Sequence, residues 1–204
     1  MMNNYAYMLY GKAYINLTNK CHNACTFCIR NTGDGVKGTR LWLDDEPDDE
    51  KAVLAAFDAL GYKSGEVVFC GYGEPTENMK ALVPTARELK RRGYSTRLNT
   101  NGLGSLVNGR NIAPELTVFD VISVSLNSCA ADKYLSVTQS MFGERAFDGV
   151  LDFAKSCKEI GLNVIFSVVD IIGEKDIANC KILCDNMDIP LRVREYVSDN
   201  YNDE

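Results

Sequence analysis

The residues in this chain with the most chemistry to offer are three cysteines, Cys21, Cys25 and Cys28, in the run Cys21-His22-Asn23-Ala24-Cys25-Thr26-Phe27-Cys28. Their C-x3-C-x2-C spacing lets one short loop turn all three sulfurs onto one cluster or metal. A cubane iron–sulfur cluster usually takes four cysteine ligands, so three local ones leave an iron open. An open position suits reactivity, whereas structural metal sites are closed. Zinc would need a fourth protein ligand, and the only histidine, His22, is adjacent to Cys21 and directed elsewhere in an extended loop. A thioredoxin-like reading uses Cys25-Thr26-Phe27-Cys28 alone and leaves Cys21 unexplained. The plain alternative is a chance grouping of buried thiols, since free cysteine is among the most buried residue types.

The elements that must position this loop alternate strand and helix. Strands are expected at 13–18, 66–71, 96–100, 119–126, 163–169 and 190–197, each rich in Val, Ile, Phe or Tyr. Helices are expected from Asp48 to Leu60, Met79 to Arg92, Phe147 to Ile160 and Lys175 to Met187. Gly61, Gly93, Gly161 and Pro190 supply their stops. Residues 103–118 read as a loop with a short helix. Six alternations imply parallel strands joined by right-handed crossovers. An open doubly wound sheet would place a glycine-rich phosphate loop after its first strand, and here a cysteine loop stands there. The expectation is therefore a partial (β/α)6 barrel in a single domain over 1–204.

Composition narrows the function. At 204 residues, 46% apolar and 25% charged, the chain can bury a full core. The first ten residues lack the pattern of a signal peptide, and no run is long and apolar enough for a membrane helix. Eight cysteines at irregular spacing argue for reduced thiols in a cytoplasm rather than a disulfide frame. A net charge of −6 gives no encouragement to nucleic-acid binding.

In a barrel, function collects at the C-terminal ends of the strands. The second strand ends in Cys70-Gly71-Tyr72-Gly73-Glu74-Pro75-Thr76, whose glycines allow close backbone approach to a ligand. The third runs into Thr100-Asn101-Gly102. On the fourth, alternation puts Ser123, Ser125 and Asn127 on one face. The fifth offers Ser167 and Asp170. The sixth carries Arg192, Arg194 and Glu195, so its arginines could grip a carboxylate or phosphate or pair internally with Glu195. Cys157, Cys180 and Cys184 read as core packing, while Cys70 and Cys129 stand alone near strand ends.

The cysteine loop, with an aromatic before its last cysteine and a strand before it, resembles the signature of radical S-adenosylmethionine (SAM) enzymes. The resemblance implies a [4Fe-4S] cluster held by Cys21, Cys25 and Cys28, with SAM on the fourth iron and Phe27 beside the adenine. Tyr72-Gly73-Glu74-Pro75 is similar to the family's Gly-Gly-Glu-Pro motif, with Tyr72 at the first glycine position. Gly73, Glu74, Thr100, Asn101, Ser125 and Asn127 are then the implied cofactor contacts, Asn127 replacing the usual Asp. The family's adenine-binding glycines are not evident on the fifth strand.

The runs 14–21, Cys28-Ile29-Arg30-Asn31 and Leu41-Trp42-Leu43 with Glu46-Pro47 resemble, more narrowly, the TatD-associated radical SAM proteins. The resemblance implies an enzyme that cleaves SAM reductively to a 5′-deoxyadenosyl radical and takes hydrogen from an unidentified substrate. Its electron donor would be a flavodoxin or ferredoxin, and a TatD-type hydrolase a functional associate. An activase for a glycyl radical partner, or a non-catalytic redox or metal-binding accessory of a TatD-type nuclease, are the alternatives.

Overall fold

A computed structural model describes residues 3–196 of the protein. Its centre is a seven-stranded sheet. β1 (Ala6–Leu9) and β2 (Lys12–Ile15) form an antiparallel hairpin, followed by five further strands in parallel with β2. Two two-residue strands, β3 (Gly35–Val36) and β4 (Thr39–Arg40), make a separate small hairpin. The remaining strands are β5 (Glu66–Phe69), β6 (Ser95–Thr100), β7 (Val121–Ser125), β8 (Val164–Val169) and β9 (Leu191–Arg194). The sheet order β1-β2-β5-β6-β7-β8-β9 runs along the chain, so each parallel strand pairs with the next and β1 and β9 are the edges.

The six parallel strands are the expected ones, in a mixed α/β fold of the partial-barrel type. The first is shorter than expected, and residues 16–18 leave the sheet to enter the cysteine loop. The last strand ends at Arg194, and residue 197 of its expected range lies outside the described residues. β1 is an addition to the expected strands. Tyr10 and Gly11, with φ of 48° and 71°, turn the chain back between β1 and β2 in the manner of a two-residue hairpin.

The helices follow their punctuation. α1 (Glu50–Ala59) starts where the Asp49 side chain accepts from the Lys51 amide at 2.9 Å. α2 (Met79–Arg91) starts at Asn78, and both end near glycines with positive φ, Gly61 and Gly93. α3 (Gly104–Val107) and a 3-10 turn at Ala113–Val118 fill the 103–118 stretch. α4 (Ala131–Thr138) is a further addition, and α5 (Arg145–Glu159) and α6 (Glu174–Met187) lie within two residues of expectation.

Strand alternation sorts the sheet into two faces. Val67, Phe69, Leu98, Ile122, Val124, Phe166 and Val168 belong to one buried cluster with the helix residues Val53, Phe57, Leu82, Leu89 and Phe153. The intervening positions face the concave side, and toward the C-terminal strand ends they become polar: Asn99, Ser123, Ser125, Ser167 and Arg192. The helices thus cover an apolar back while a polar front is left for a site.

Candidate active site

The cysteine loop is clamped from two directions. After β2, the buried Asn16 donates through Nδ2 to the Leu41 carbonyl at 2.8 Å. The Thr18 hydroxyl and Asn19 amide donate to Glu46 Oε1 at 2.7 and 2.9 Å, and Lys20 Nζ lies 3.2 Å from Glu46 Oε2. Burial pushes the Glu46 carboxyl up, but these hydrogen bonds and the lysine charge outweigh it, so its pKa lies below the ordinary value. On the far side, the Ala24 and Thr26 amides donate to the Thr138 and Val137 carbonyls at the end of α4, at 2.9 and 3.0 Å. His22 is engaged away from the thiols: Nδ1 meets the Glu77 carboxylate, and the ring stacks on Phe142 at 5.2 Å.

All three loop cysteines are half-buried. Burial pushes the Cys21 thiol up to about 11 and Cys25 up to about 12, each raised further by the proximity of Cys28. Among the described residues no three His, Cys, Asp or Glu side chains close on one point as a single metal ion requires. A lone zinc would hold its sulfurs about 3.8 Å apart, from ~2.3 Å bonds in a tetrahedron. A cubane offers a separate iron to each sulfur and leaves its fourth iron open, which suits a three-thiol loop.

Beside the loop, the segment after β5 forms the floor. Gly73 is required for packing: a Cβ there would lie 2.3 Å from the Thr18 carbonyl oxygen, to which the Gly73 amide donates at 2.9 Å. The close approach expected of these glycines is thus, at Gly73, an approach to the root of the cysteine loop. Tyr72, at the position where the family motif has glycine, turns away from the site. It is buried against Trp42, ring centroids 5.1 Å apart, and its hydroxyl donates to the Gly33 carbonyl at 2.7 Å.

Glu74 is the junction. Its Oε1 accepts from the Thr76 amide at 3.2 Å, the Thr76 hydroxyl at 2.7 Å and the Thr100 hydroxyl at 2.6 Å; Oε2 accepts from the Asn101 amide at 2.7 Å. Burial raises its pKa against the pull of these four donors. The carboxylate therefore ties the end of β5 to the end of β6. Asn101, held by it, reaches back with Nδ2 to Cys21 Sγ at 3.8 Å.

These walls enclose a cavity of about 180 Å³. One ordered water needs roughly 10–15 Å³, so the space is sized for a ligand. Gly73, Glu74, Thr100, Asn101 and Ser125 line it, which brings together five of the seven expected cofactor contacts. Ser123, Ser167, Arg192, Arg194, Asn99 and Cys70 line it as well. Phe27 and Asn127 are not on its wall. Phe27 is half-buried within the loop. Asn127 does not continue the face of Ser123 and Ser125, because β7 ends at Ser125 and Asn127 takes a left-handed φ of 58°. Its Oδ1 is nonetheless buried with no partner among the described residues, as is the Arg194 Nε. Orphaned polar atoms of this kind mark places where a polar ligand restores what burial removed.

Of the two readings for the arginines, the internal pair with Glu195 does not form. Neither Arg192 nor Arg194 has an ion-pair partner among the described residues, and Glu195 is exposed. Asp170 is used locally, accepting from the Tyr196 amide at 2.9 Å. Asn99, one residue short of the end of β6, and Cys70, one residue past the end of β5, are the lining residues with the least signal in sequence.

A sequence model of the radical SAM superfamily matches residues 15–178, from the end of β2 into α6. The chain belongs to this superfamily. Membership brings with it a [4Fe-4S] cluster and SAM, and the three thiols without a fourth ligand fit that donor set.

Solved structures of the same fold include a radical SAM methyltransferase from Sphaerobacter thermophilus, at TM-score 0.52 and 15% identity over 93% of this chain and 68% of that one. Methylornithine synthase (PylB) aligns at TM-score 0.58 and 16% identity, over 90% and 52%. Native anSMEcpe with bound AdoMet and a Kp18Cys peptide aligns at TM-score 0.64 and 15% identity, over 90% and 50%. Such identities speak for fold alone. Over 69 residues the chain is 35% identical to the probable dual-specificity RNA methyltransferase RlmN of Corynebacterium diphtheriae, which is 34% of this chain and 18% of that protein. The chain therefore spans a small part of that relative and about half of the last two structures. No helix among the described residues is long and apolar enough to cross a membrane.

Proposed function

We propose that this radical SAM protein is an enzyme that cleaves SAM reductively and takes a hydrogen atom from a substrate seated in the strand-end cavity. The observation that carries this reading is the Asn101 bridge: one residue lines the cavity, is fixed by Glu74 and touches the Cys21 sulfur. Cluster loop and cavity thus share a wall. When bound, the reduced cluster supplies the electron that splits the sulfonium of SAM into methionine and a 5′-deoxyadenosyl radical.

The chain's own residues hold and orient. Cys21, Cys25 and Cys28 hold three irons. Gly73, Thr100, Asn101 and Ser125 offer backbone and side-chain polar groups toward SAM, and Asn127 offers its unpartnered oxygen. Glu74, already accepting four hydrogen bonds, positions Thr100 and Asn101. Phe27 gives a π face for the adenine. The electron comes from a flavodoxin or ferredoxin. The narrower likeness to TatD-associated proteins rests on the sequence runs alone, two of whose residues, Asn19 and Glu46, brace the cysteine loop here.

The test is anaerobic reconstitution with iron and sulfide. Brown protein that releases 5′-deoxyadenosine from SAM on reduction supports the reading. Colourless protein holding stoichiometric zinc, or a brown protein that never cleaves SAM, would leave a metal-binding accessory instead.

A further inference from the structure

The cavity has two ends, and the cofactor reading uses only one. Glu74, Thr100 and Asn101 lie at the ends of β5 and β6, beside the cysteine loop that follows β2. Arg192 and Arg194 lie on β9, three strands beyond β6 in the sheet, or roughly 14 Å along it at ~4.8 Å per strand. Both face inward because alternation places positions 192 and 194 on one side, and Val193 between them is 46% exposed on the other. The Cα register carries a polar row across three strands, Ser125 to Ser167 to Arg192.

Two features make this row an unfinished site. Among the described residues no carboxylate neutralises the arginines: the one acidic residue of these lining the cavity is Glu74, and its oxygens accept from Thr76, Thr100 and Asn101. The Nε of Arg194 is buried and has no partner among the described residues. Burying a guanidinium N–H without an acceptor is costly, and such a cost persists where a ligand removes it. A guanidinium presents its N–H groups as a fork that matches the two oxygens of a planar carboxylate or a phosphate. In a chain of net charge −6, two unpaired arginines at one cavity wall also make a local attraction for anions that the bulk charge opposes.

We propose that Arg192 and Arg194, with Ser167, form the receptor for an oxyanion, a carboxylate or phosphate group, carried by the substrate. The inference rests on the preceding reading only in placing SAM at the other end of the cavity. An anionic handle anchored on β9 would hold the remainder of the substrate over β7 and β8, between the receptor and the cofactor. The side chain that recognises the substrate and the loop that binds the cluster then sit at opposite ends of one cavity.

The experiment uses reconstituted, cluster-loaded protein saturated with SAM and titrated calorimetrically with inorganic phosphate and with acetate, at constant ionic strength with chloride as control. Binding of at least one oxyanion above the chloride control is expected in the presence of SAM. Arg192→Gln and Arg194→Gln should each weaken it roughly tenfold or more, the loss of one charge-assisted contact. Their SAM affinity should stay within about twofold of the parent. Arg192 is exposed, so Arg192→Gln reports even where Arg194→Gln folds poorly.

A flat titration of the parent, or undiminished binding in Arg192→Gln, overturns the proposal. So does displacement of the anion by SAM with a parallel loss of SAM affinity in the variants, which would give the arginines to the cofactor's own carboxylate. Absence of 5′-deoxyadenosine would defeat the functional reading separately, since anion binding is read without turnover.

Discussion

Replacing Glu74 by glutamine keeps its shape and changes only what its two terminal atoms can do. Four donors converge on the carboxylate, so an amide NH2 in its place must face at least one N–H or O–H. The expected cost is ~1–3 kcal/mol in unfolding free energy, read as a lowered denaturant midpoint with an unchanged slope. Equal stability of Glu74→Gln and parent would show that the junction is not under load. That a carboxylate stands after β5 is plain in the sequence. Its use is not, because the donors come from Thr100 and Asn101, 26 and 27 residues away, and nothing local to 74 points to them. Asn127 teaches the converse: an alternation argument holds only while the strand lasts, and here it ends two residues early.

At the scale of elements, the cysteine loop owes its shape to two neighbours with weak sequence signals. One is the Glu46 brace. Its carboxyl titrates below the ordinary glutamate value, so the ionised form contributes stability that is fully present above that value and lost as pH falls through the folded-state pKa. Glu46→Gln should therefore be less stable than the parent near neutrality and lose less on acidification from about pH 6 to about pH 3, measured as melting temperature in the metal-free protein. Parallel melting curves across that range would contradict the brace. The other neighbour is α4, whose last carbonyls receive the Ala24 and Thr26 amides. Its two turns, Ala131 to Thr138, bury only Tyr134 and Thr138 and are too short for a sustained helical period, which is why the stretch passes unread. α2 and α5, with glycine stops and cationic last turns, are legible because their signals are local.

For the whole molecule, six parallel strands are legible from strand–helix alternation, whereas the antiparallel β1, Ala6 to Leu9, is not, because it has no helix between it and β2 to punctuate it. Tertiary folding also gathers thiols that sequence spacing leaves apart. Cys129, from the loop after β7, lies close enough to Cys180 and Cys184 on α6 to add to the burial that pushes both thiols up. Cys180 and Cys184 are buried in the core, as expected, and among the described residues this group does not close on a metal ion. The expected iron content is that of a single cubane, about four per chain. It should survive in the Cys180→Ala, Cys184→Ala double variant and nearly vanish in Cys21→Ala. Twice that iron, halved in the double variant, would reveal a second cluster.

The packing around Tyr72 also has an optical consequence. Trp42 is the chain's only tryptophan, and it lies with the Arg30 guanidinium 4.7 Å from its ring centroid. Arg30 stands two residues beyond Cys28, so the single emitter is wired to the loop that binds iron. An iron–sulfur chromophore absorbs where tryptophan emits. Loading the loop should therefore dim the intrinsic fluorescence of the whole protein, and Arg30→Ala should shift that emission before any iron is added.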